Sequence, residues 1–400
     1  MILTVLSKTL RKLVLLALVL DLTVPVAGSL DGPIELRLPA PSGPLPVGTT
    51  TLHLVERSRA DPWVPSARPR ELMITLFYPA RPGDTRPLAP WMSRLAANHY
   101  LARISGRTRP PLDLPRVPST HSGENAPAAS RPGGWPVVLF SPGYGEDRAL
   151  GTDLTEDLAS HGYVVAAIDH TYDATEIAFP KDRLVLRHQP EPTTEVLTAG
   201  IRTRVADARF VLDELASLNH GDNPDAEGRT LPQGTRLWLN LARVGMFGHS
   251  LGGATTAAAM AEDPRIKAGV DLDGTLHGSV SDYALNRPFL FMSRQGHSHL
   301  TDPTWSAFWT HLTAWHIEVQ LTGSAHYTFT DNETLLPQMT GVLGLTAAQL
   351  QTLDGTIEPQ RAVDTERAYL AAFFDLTLTC RDDGLLSGRS PRFPDAALIA

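Results

Sequence analysis

Ser250 stands in Gly248-His249-Ser250-Leu251-Gly252-Gly253, a setting that can turn a hydroxyl into a nucleophile. A serine hydroxyl is weak at neutral pH, so it needs a base within hydrogen-bond reach and must project clear of its own backbone neighbours. A sharp strand-to-helix turn gives that clearance only if side chains two positions away on either side are absent. Gly248 and Gly252 meet the condition, and Gly253 extends the small patch so that a helix can approach a sheet. The flanks agree. Arg243-Val244-Gly245-Met246-Phe247 reads as a strand, and the alanine-rich run to about Glu262 reads as a helix. A glycine-rich pentapeptide arises by chance, whereas strand, turn and helix without a gap are the confirming context. The helix start also aims free amides and its positive dipole end at charge developing beside the serine. The chemistry indicated is acyl transfer.

Acyl transfer needs donors for an oxyanion, each worth roughly 3 kcal/mol. One is the amide of Leu251; the other is expected from Ser141-Pro142-Gly143-Tyr144-Gly145, which follows the apolar run Val137 to Phe140 directly. Acid and base should follow the serine in that order, on loops at the carboxyl ends of strands. Asp273 ends the next strand in Asp271-Leu272-Asp273-Gly274; Asp271 is on the same side but one pleat deeper, so the strand tip favours Asp273. Asp302 begins a helix and reads as an amino-terminal cap. His326, in Gly323-Ser324-Ala325-His326-Tyr327, follows the last alternating strand and is the expected base. His297 and His299 are the next candidates. With no carboxylate or third ligand beside them in sequence, they make a weak zinc site, and no metal or organic cofactor is expected. His249 is expected to shape the pocket floor. Trp305, Phe308, Trp309 and Trp315 fall at helical spacing and read as core.

These residues require a sheet to position them. From Pro136 the chain alternates strand, turn and helix, the mark of a parallel sheet covered by helices. Pro136 to Phe140 and Gly162 to Asp169 are apolar runs suited to strands buried on both faces, with a helix at 152 to 160 between them. Ile201, Val205, Ala208, Leu212 and Leu215 mark one apolar helix face. Further strands are expected at Ile266 to Leu272, Phe289 to Ser293 and Ile317 to Leu321, with helices at Thr304 to Trp315 and, closing the fold, Arg361 to Leu376. Glu71 to Tyr78 and Thr51 to Val55 read as antiparallel edge strands, and the proline-rich residues 80 to 134 as a long excursion that could border a cleft. A loop from 171 to about 198 interrupts the pattern, and 331 to 360 reads as a loop that could wall the cleft. The expected architecture is α/β: a mostly parallel, doubly wound sheet with antiparallel amino-terminal edge strands and loop or helical insertions. With the elbow serine, this is the α/β-hydrolase fold.

Four hundred residues with 42% hydrophobic content allow one large catalytic domain, taken as residues 29 to 400 with its core at about 70 to 378. Residues 1 to 28 read as a signal peptide: Lys8, Arg11 and Lys12 precede the apolar run Leu13 to Leu20, and Val26-Ala27-Gly28 offers small residues for cleavage. Asp21 and Pro25 cut that run below the roughly 20 residues of a spanning helix. Export to a periplasm or the medium is therefore expected. A net charge of -8 disfavours nucleic acid, which binds clustered cations. Cys380 is the only cysteine, so no intrachain disulfide forms and the core alone must hold the fold.

At this point the sequence resembles the plasma-type and intracellular type II platelet-activating factor acetylhydrolases and their bacterial relatives. The likeness spans about residues 70 to 330. It is carried by Leu76-Phe77-Tyr78-Pro79, Phe140-Ser141-Pro142-Gly143-Tyr144-Gly145, His161 to His170, the Gly248 to Gly253 elbow and Gly323-Ser324-Ala325-His326. The resemblance implies Ser250 as nucleophile, Asp273 as acid, His326 as base and the amides of Leu251 and Tyr144 as oxyanion donors. It implies ester hydrolysis on short acyl chains, including short-acyl phospholipids; the expected partner is a small ester or lipid substrate, with transient contact with lipid surfaces, and nothing implies a protein partner. Pro142 departs from the histidine common at that place in the family, which touches substrate choice rather than chemistry. A broader lipase or polyesterase is the alternative within this chemistry, followed by a peptidase; a binding module on the same fold is the alternative outside it.

Overall fold

The computed structural model describes residues 35–64, 68–105, 118–235 and 238–400. The expected signal peptide lies outside the described residues. The strands are β1 Val47–Ala60, β2 Pro69–Pro79, β3 Leu88–Pro90, β4 Ser119–Glu124, β5 Trp135–Ser141, β6 Val164–Asp169, β7 Glu176–Phe179, β8 Arg183–Leu186, β9 Leu239–His249, β10 Ile266–Leu272, β11 Phe289–Arg294, β12 His316–Leu321 and β13 Ala396–Ile399. The helices are α1 Arg94–Ile104, α2 Thr152–Ser160, α3 Thr194–His220, α4 Leu251–Glu262, α5 Pro303–His311, α6 Asn332–Leu343, α7 Ala347–Asp354 and α8 Pro359–Thr379.

An eleven-stranded sheet runs in the order β13-β12-β11-β10-β9-β5-β6-β2-β1-β4-β3. From β12 to β6 every neighbouring pair is parallel. The crossovers return through α-helices except that from β10 to β11, which holds only a short helical turn at Val280–Asp282, and the helices divide between the two faces. On one face, Ile201, Val205, Ala208, Leu212 and Leu215 of α3 pack with the alanines of α4 and with Trp305 and Phe308 of α5. On the other, Leu154 and Leu158 of α2 pack with Tyr369, Leu370, Phe373 and Phe374 of α8. Helices on both faces bury the central strands, so β5 is buried at every residue, as its apolar run predicts. The architecture is that of the α/β-hydrolases.

Four expectations are corrected. β1 and β2 pair antiparallel as predicted, but β2 also pairs with β6 and β1 with β4, so neither is an edge. The short β3 takes that place, a common way of blunting an exposed strand. The carboxyl-terminal helix does not close the fold: β13 follows it and pairs antiparallel with β12. Helix α5 stops at His311, and Trp315 beyond it is 41% exposed while Trp305 and Phe308 are buried. The two segments expected as loops, 171 to about 198 and 331 to 360, carry the β7–β8 hairpin and the helices α6 and α7.

The excursion after β2 is also built on tertiary contacts. Trp91, Met92 and α1 pack on Leu335, Leu336 and Met339 of α6. Trp91 Nε1 donates to Asp331 Oδ2 at 2.8 Å and the Tyr100 hydroxyl to Asn332 Oδ1 at 2.7 Å. Residues 106–117 of the excursion are outside the described residues.

Candidate active site

Ser250 sits between β9 and α4 with φ 53° and ψ -117°, a strained conformation that lifts its side chain out of the turn. The glycines are there because nothing larger fits. A Cβ on Gly252 would lie 1.8 Å from the Ser141 carbonyl oxygen, and one on Gly253 would lie 1.7 Å from Asp271 Oδ1. The elbow is also tied to the next strand, since Ser250 N donates to the Leu272 carbonyl at 2.9 Å.

His326 Nε2 lies 3.0 Å from Ser250 Oγ, and His326 Nδ1 lies 2.6 Å from Asp273 Oδ2. The three side chains reach one point from the ends of β9, β10 and the loop after β12. Asp273 is at the tip of its strand with φ 56°, which turns its carboxylate toward the neighbouring loops. Asp271, one pleat deeper, is fully buried and accepts from Gly274 N at 2.8 Å instead. Burial pushes the Asp271 carboxyl well above the usual carboxylate range, the reverse of what an ionised triad acid needs.

Asp273 has the opposite electrostatics. Burial disfavours its charge, but hydrogen bonds from His297 and His326 and the nearby Arg294 guanidinium hold it well below the usual range. His297 Nδ1 approaches Asp273 Oδ1 at 2.5 Å, and its Nε2 lies 3.1 Å from Asp302 Oδ2. Arg294 donates to Asp273 through both its amide and its side chain. Burial lowers the proton affinity of His326, the Asp273 hydrogen bond opposes this, and the His249 charge lowers it again, leaving the ring below its ordinary value and ready to accept a proton.

The two expected oxyanion donors are the amides of Leu251, at the start of α4, and of Tyr144, in the loop after β5. Among the described residues, neither the Leu251 nor the Tyr144 amide has a hydrogen-bond acceptor. Arg204 holds the carbonyls of Pro142 and Gly143, the second at 2.8 Å. In a trans peptide the next amide points the other way, so the Gly143 contact turns the Tyr144 N–H away from Arg204.

The comparisons with known proteins agree with the fold and with ester hydrolysis. The sequence profile of platelet-activating factor acetylhydrolase, isoform II, matches residues 34–384. The chain belongs to this family. A probable 1-alkyl-2-acetylglycerophosphocholine esterase of Arthroderma benhamiae is 28% identical, over 92% of this chain and 95% of the relative. A platelet-activating factor acetylhydrolase of Cavia porcellus is 23% identical, over 82% of this chain and 74% of the relative. Among solved structures, a ferulic acid esterase from Streptomyces cinnamoneus is 34% identical with a TM-score of 0.76, covering 92% of this chain and 100% of that one. The chain is thus a serine carboxylic ester hydrolase.

Several residues that shape the site of this isoform II family member carry no local sequence signal. Asp173 binds Arg204 at 2.7 Å and accepts from the Gly145 amide at 3.2 Å. His170 lies 2.9 Å from Ser141 Oγ and 2.9 Å from Asp207, which pairs with the buried Arg70. The sequence reading also left His297 and His299 without carboxylate neighbours. The structure supplies them from other elements: Asp273 and Asp302 for His297, and Glu318 at 2.6 Å for His299, which stacks on Trp309. Among the described residues, no group of three histidines, cysteines or acids is arranged to hold a metal ion.

Proposed function

We propose that this hydrolase cleaves short-acyl esters, acetyl esters of glycerophosphocholine lipids first among them, through a covalent acyl-enzyme on Ser250. The observation that carries this reading is the continuous chain Ser250 Oγ, His326, Asp273, with contacts of 3.0 and 2.6 Å at a strained elbow. Ser250 Oγ attacks the ester carbonyl carbon while its proton passes to His326 Nε2. Asp273 stays ionised, fixes the ring by its Nδ1 and stabilises the imidazolium. The carbonyl oxygen becomes an oxyanion facing the amides of Leu251 and Tyr144. His326 then returns the proton to the departing alkoxide, and water repeats the sequence in reverse to free the acid.

The names of the relatives from Arthroderma benhamiae and Cavia porcellus support the acetyl phospholipid substrate. The ferulic acid esterase likeness favours a second reading, a broader esterase that accepts bulky aromatic acyl groups. Export completes the proposal and rests on the basic start and apolar run within residues 1 to 28; amino-terminal sequencing of secreted protein checks it. Among the described residues, no helix is long and apolar enough to cross a membrane.

Labelling with a fluorophosphonate probe, followed by an ester panel, tests both readings. Wild type should label and Ser250→Ala should not; an unlabelled wild type ends the triad assignment. Acetyl and butyryl esters, with and without a glycerophosphocholine head group, should turn over much faster than feruloyl or long-chain esters. The reverse order establishes the second reading.

A further inference from the structure

The contacts around His249 demand a protonation state that the reaction above leaves unused. His249 is fully buried beside the nucleophile. Its Nδ1 lies 2.9 Å from Glu146 Oε2, and its Nε2 lies 2.9 Å from the carbonyl oxygen of His326. The Gly143 amide donates to the same Glu146 oxygen, which favours the carboxylate there, and against burial the pair with His249 holds that carboxyl below its ordinary value. A carboxylate and a carbonyl only accept, so both contacts are hydrogen bonds only if each ring nitrogen carries a hydrogen. That is the imidazolium. Either neutral tautomer would set a nitrogen lone pair against an acceptor in a buried place, where an unmet contact costs about 1–3 kcal/mol.

Glu146 has a second task. Its Oε2 also accepts from Gly143 N at 2.7 Å. A Cβ at position 143 would lie 2.6 Å from the Glu146 carboxylate carbon, so glycine is required for this approach. Through these contacts one ion pair joins the loop after β5, the elbow and the loop that carries His326.

We propose that Glu146 and a protonated His249 form a positioning pair that fixes the loop at residues 143–146 against the elbow and the His326 loop. The proposal rests on the Ser250–His326 reading and adds two residues that do not touch the reacting atoms. The pair sets where the Tyr144 amide stands and how His326 is presented to Ser250. It also sets a charge. The ring centroids of His249 and His326 are 4.6 Å apart, and a cation there keeps His326 unprotonated to lower pH. The charged or titratable groups facing His249 are Glu146, Asp273 and His326, with Tyr327 at 6.2 Å between centroids; Arg294 acts on His326 from beyond Asp273. Burial opposes the His249 charge, but the Glu146 carboxylate outweighs it and raises the ring above its ordinary value.

The test uses the full chain with p-nitrophenyl acetate as substrate and fluorophosphonate as titrant of Ser250. Glu146→Gln and His249→Gln should each lower kcat by roughly tenfold or more with KM little changed, because the reacting groups are misplaced rather than removed. The double variant should lose no more than the worse single one. In His249→Gln the acid limb of kcat/KM should move up by roughly one pH unit, since a neighbouring cation is gone. A merely structural side chain leaves that limb in place. Folded variants with wild-type kcat and an unmoved limb overturn the proposal. Where a variant does not fold, ¹⁵N imidazole spectra of the wild type decide: His249 should show both nitrogens protonated at pH 7, and a neutral ring overturns it. Failure of the underlying triad looks different, because wild type itself would not label at Ser250.

Discussion

Two aspartates two positions apart, Asp271 and Asp273, illustrate how strand geometry assigns chemistry at the residue scale. Both belong to β10 and its tip, yet burial pushes the Asp271 carboxyl well above its usual range while His297, His326 and Arg294 hold Asp273 well below it. Asp271→Asn should keep most of the activity, because Asp271 hydrogen-bonds to neither Ser250 nor His326 and the amide oxygen can still accept from Gly274 N, while Asp273→Asn should cost roughly three to four orders of magnitude in kcat. Equal losses in a single ester assay would refute the division of roles. His297 gives a pH prediction. Burial lowers its proton affinity, but hydrogen bonds to Asp273 and Asp302 raise it to about 9. A raised folded value means that its contribution to stability is complete below the ordinary histidine range and is lost as pH rises toward 9. His297→Gln should therefore melt lower than wild type at pH 6 and approach it by pH 9.5, as read by thermal unfolding.

The elbow shows how an element is specified by what cannot be present. Gly252→Ala would place a methyl carbon 1.8 Å from the Ser141 carbonyl oxygen, which is backbone and cannot swing aside. The variant should lose about 2 kcal/mol or more by denaturant unfolding and should not label with fluorophosphonate even when folded. Retention of full labelling would show that the elbow tolerates a wider turn. Elements with a local cause were legible in the sequence: β5, β6, β9 and β10 as apolar runs, α3 by its periodicity and α4 by its glycine turn. Those placed by their partners were not. Nothing local says that β13 returns to pair with β12, because a four-residue strand gains its ladder only from a neighbour already there. The β7–β8 hairpin and α7 are similar cases, short elements held by contacts far along the chain.

Across the whole molecule, α6, α7 and α8 bury several carboxyl groups together. Burial and the nearby Asp354 raise Glu333 to about 9, and burial raises Asp354 to about 8. Glu366 is pushed well above its ordinary value by burial and by Glu333. For acids with raised folded values the native state binds more protons than the unfolded chain, so stability falls as pH rises from about 4.5 through 9. Glu366→Gln should remove that cost and raise the melting temperature at pH 8 by about 2 °C or more, with little gain at pH 5. A gain of equal size at both pH values would show that the carboxyl is already neutral or already paired. The sequence by itself determined the fold class and pointed to the elbow and to Ser250, Asp273 and His326 in that order, because each follows from local pattern: apolar runs, paired glycines and polar residues at strand ends. Only the tertiary structure decided that Asp273 is shared between His326 and His297, that Glu146 meets His249, and that Arg204 and Asp173 hold the loop at Gly143. Those contacts join residues 24 to 103 positions apart, and their energies depend on burial and on neighbouring charge, neither of which exists until the chain has folded.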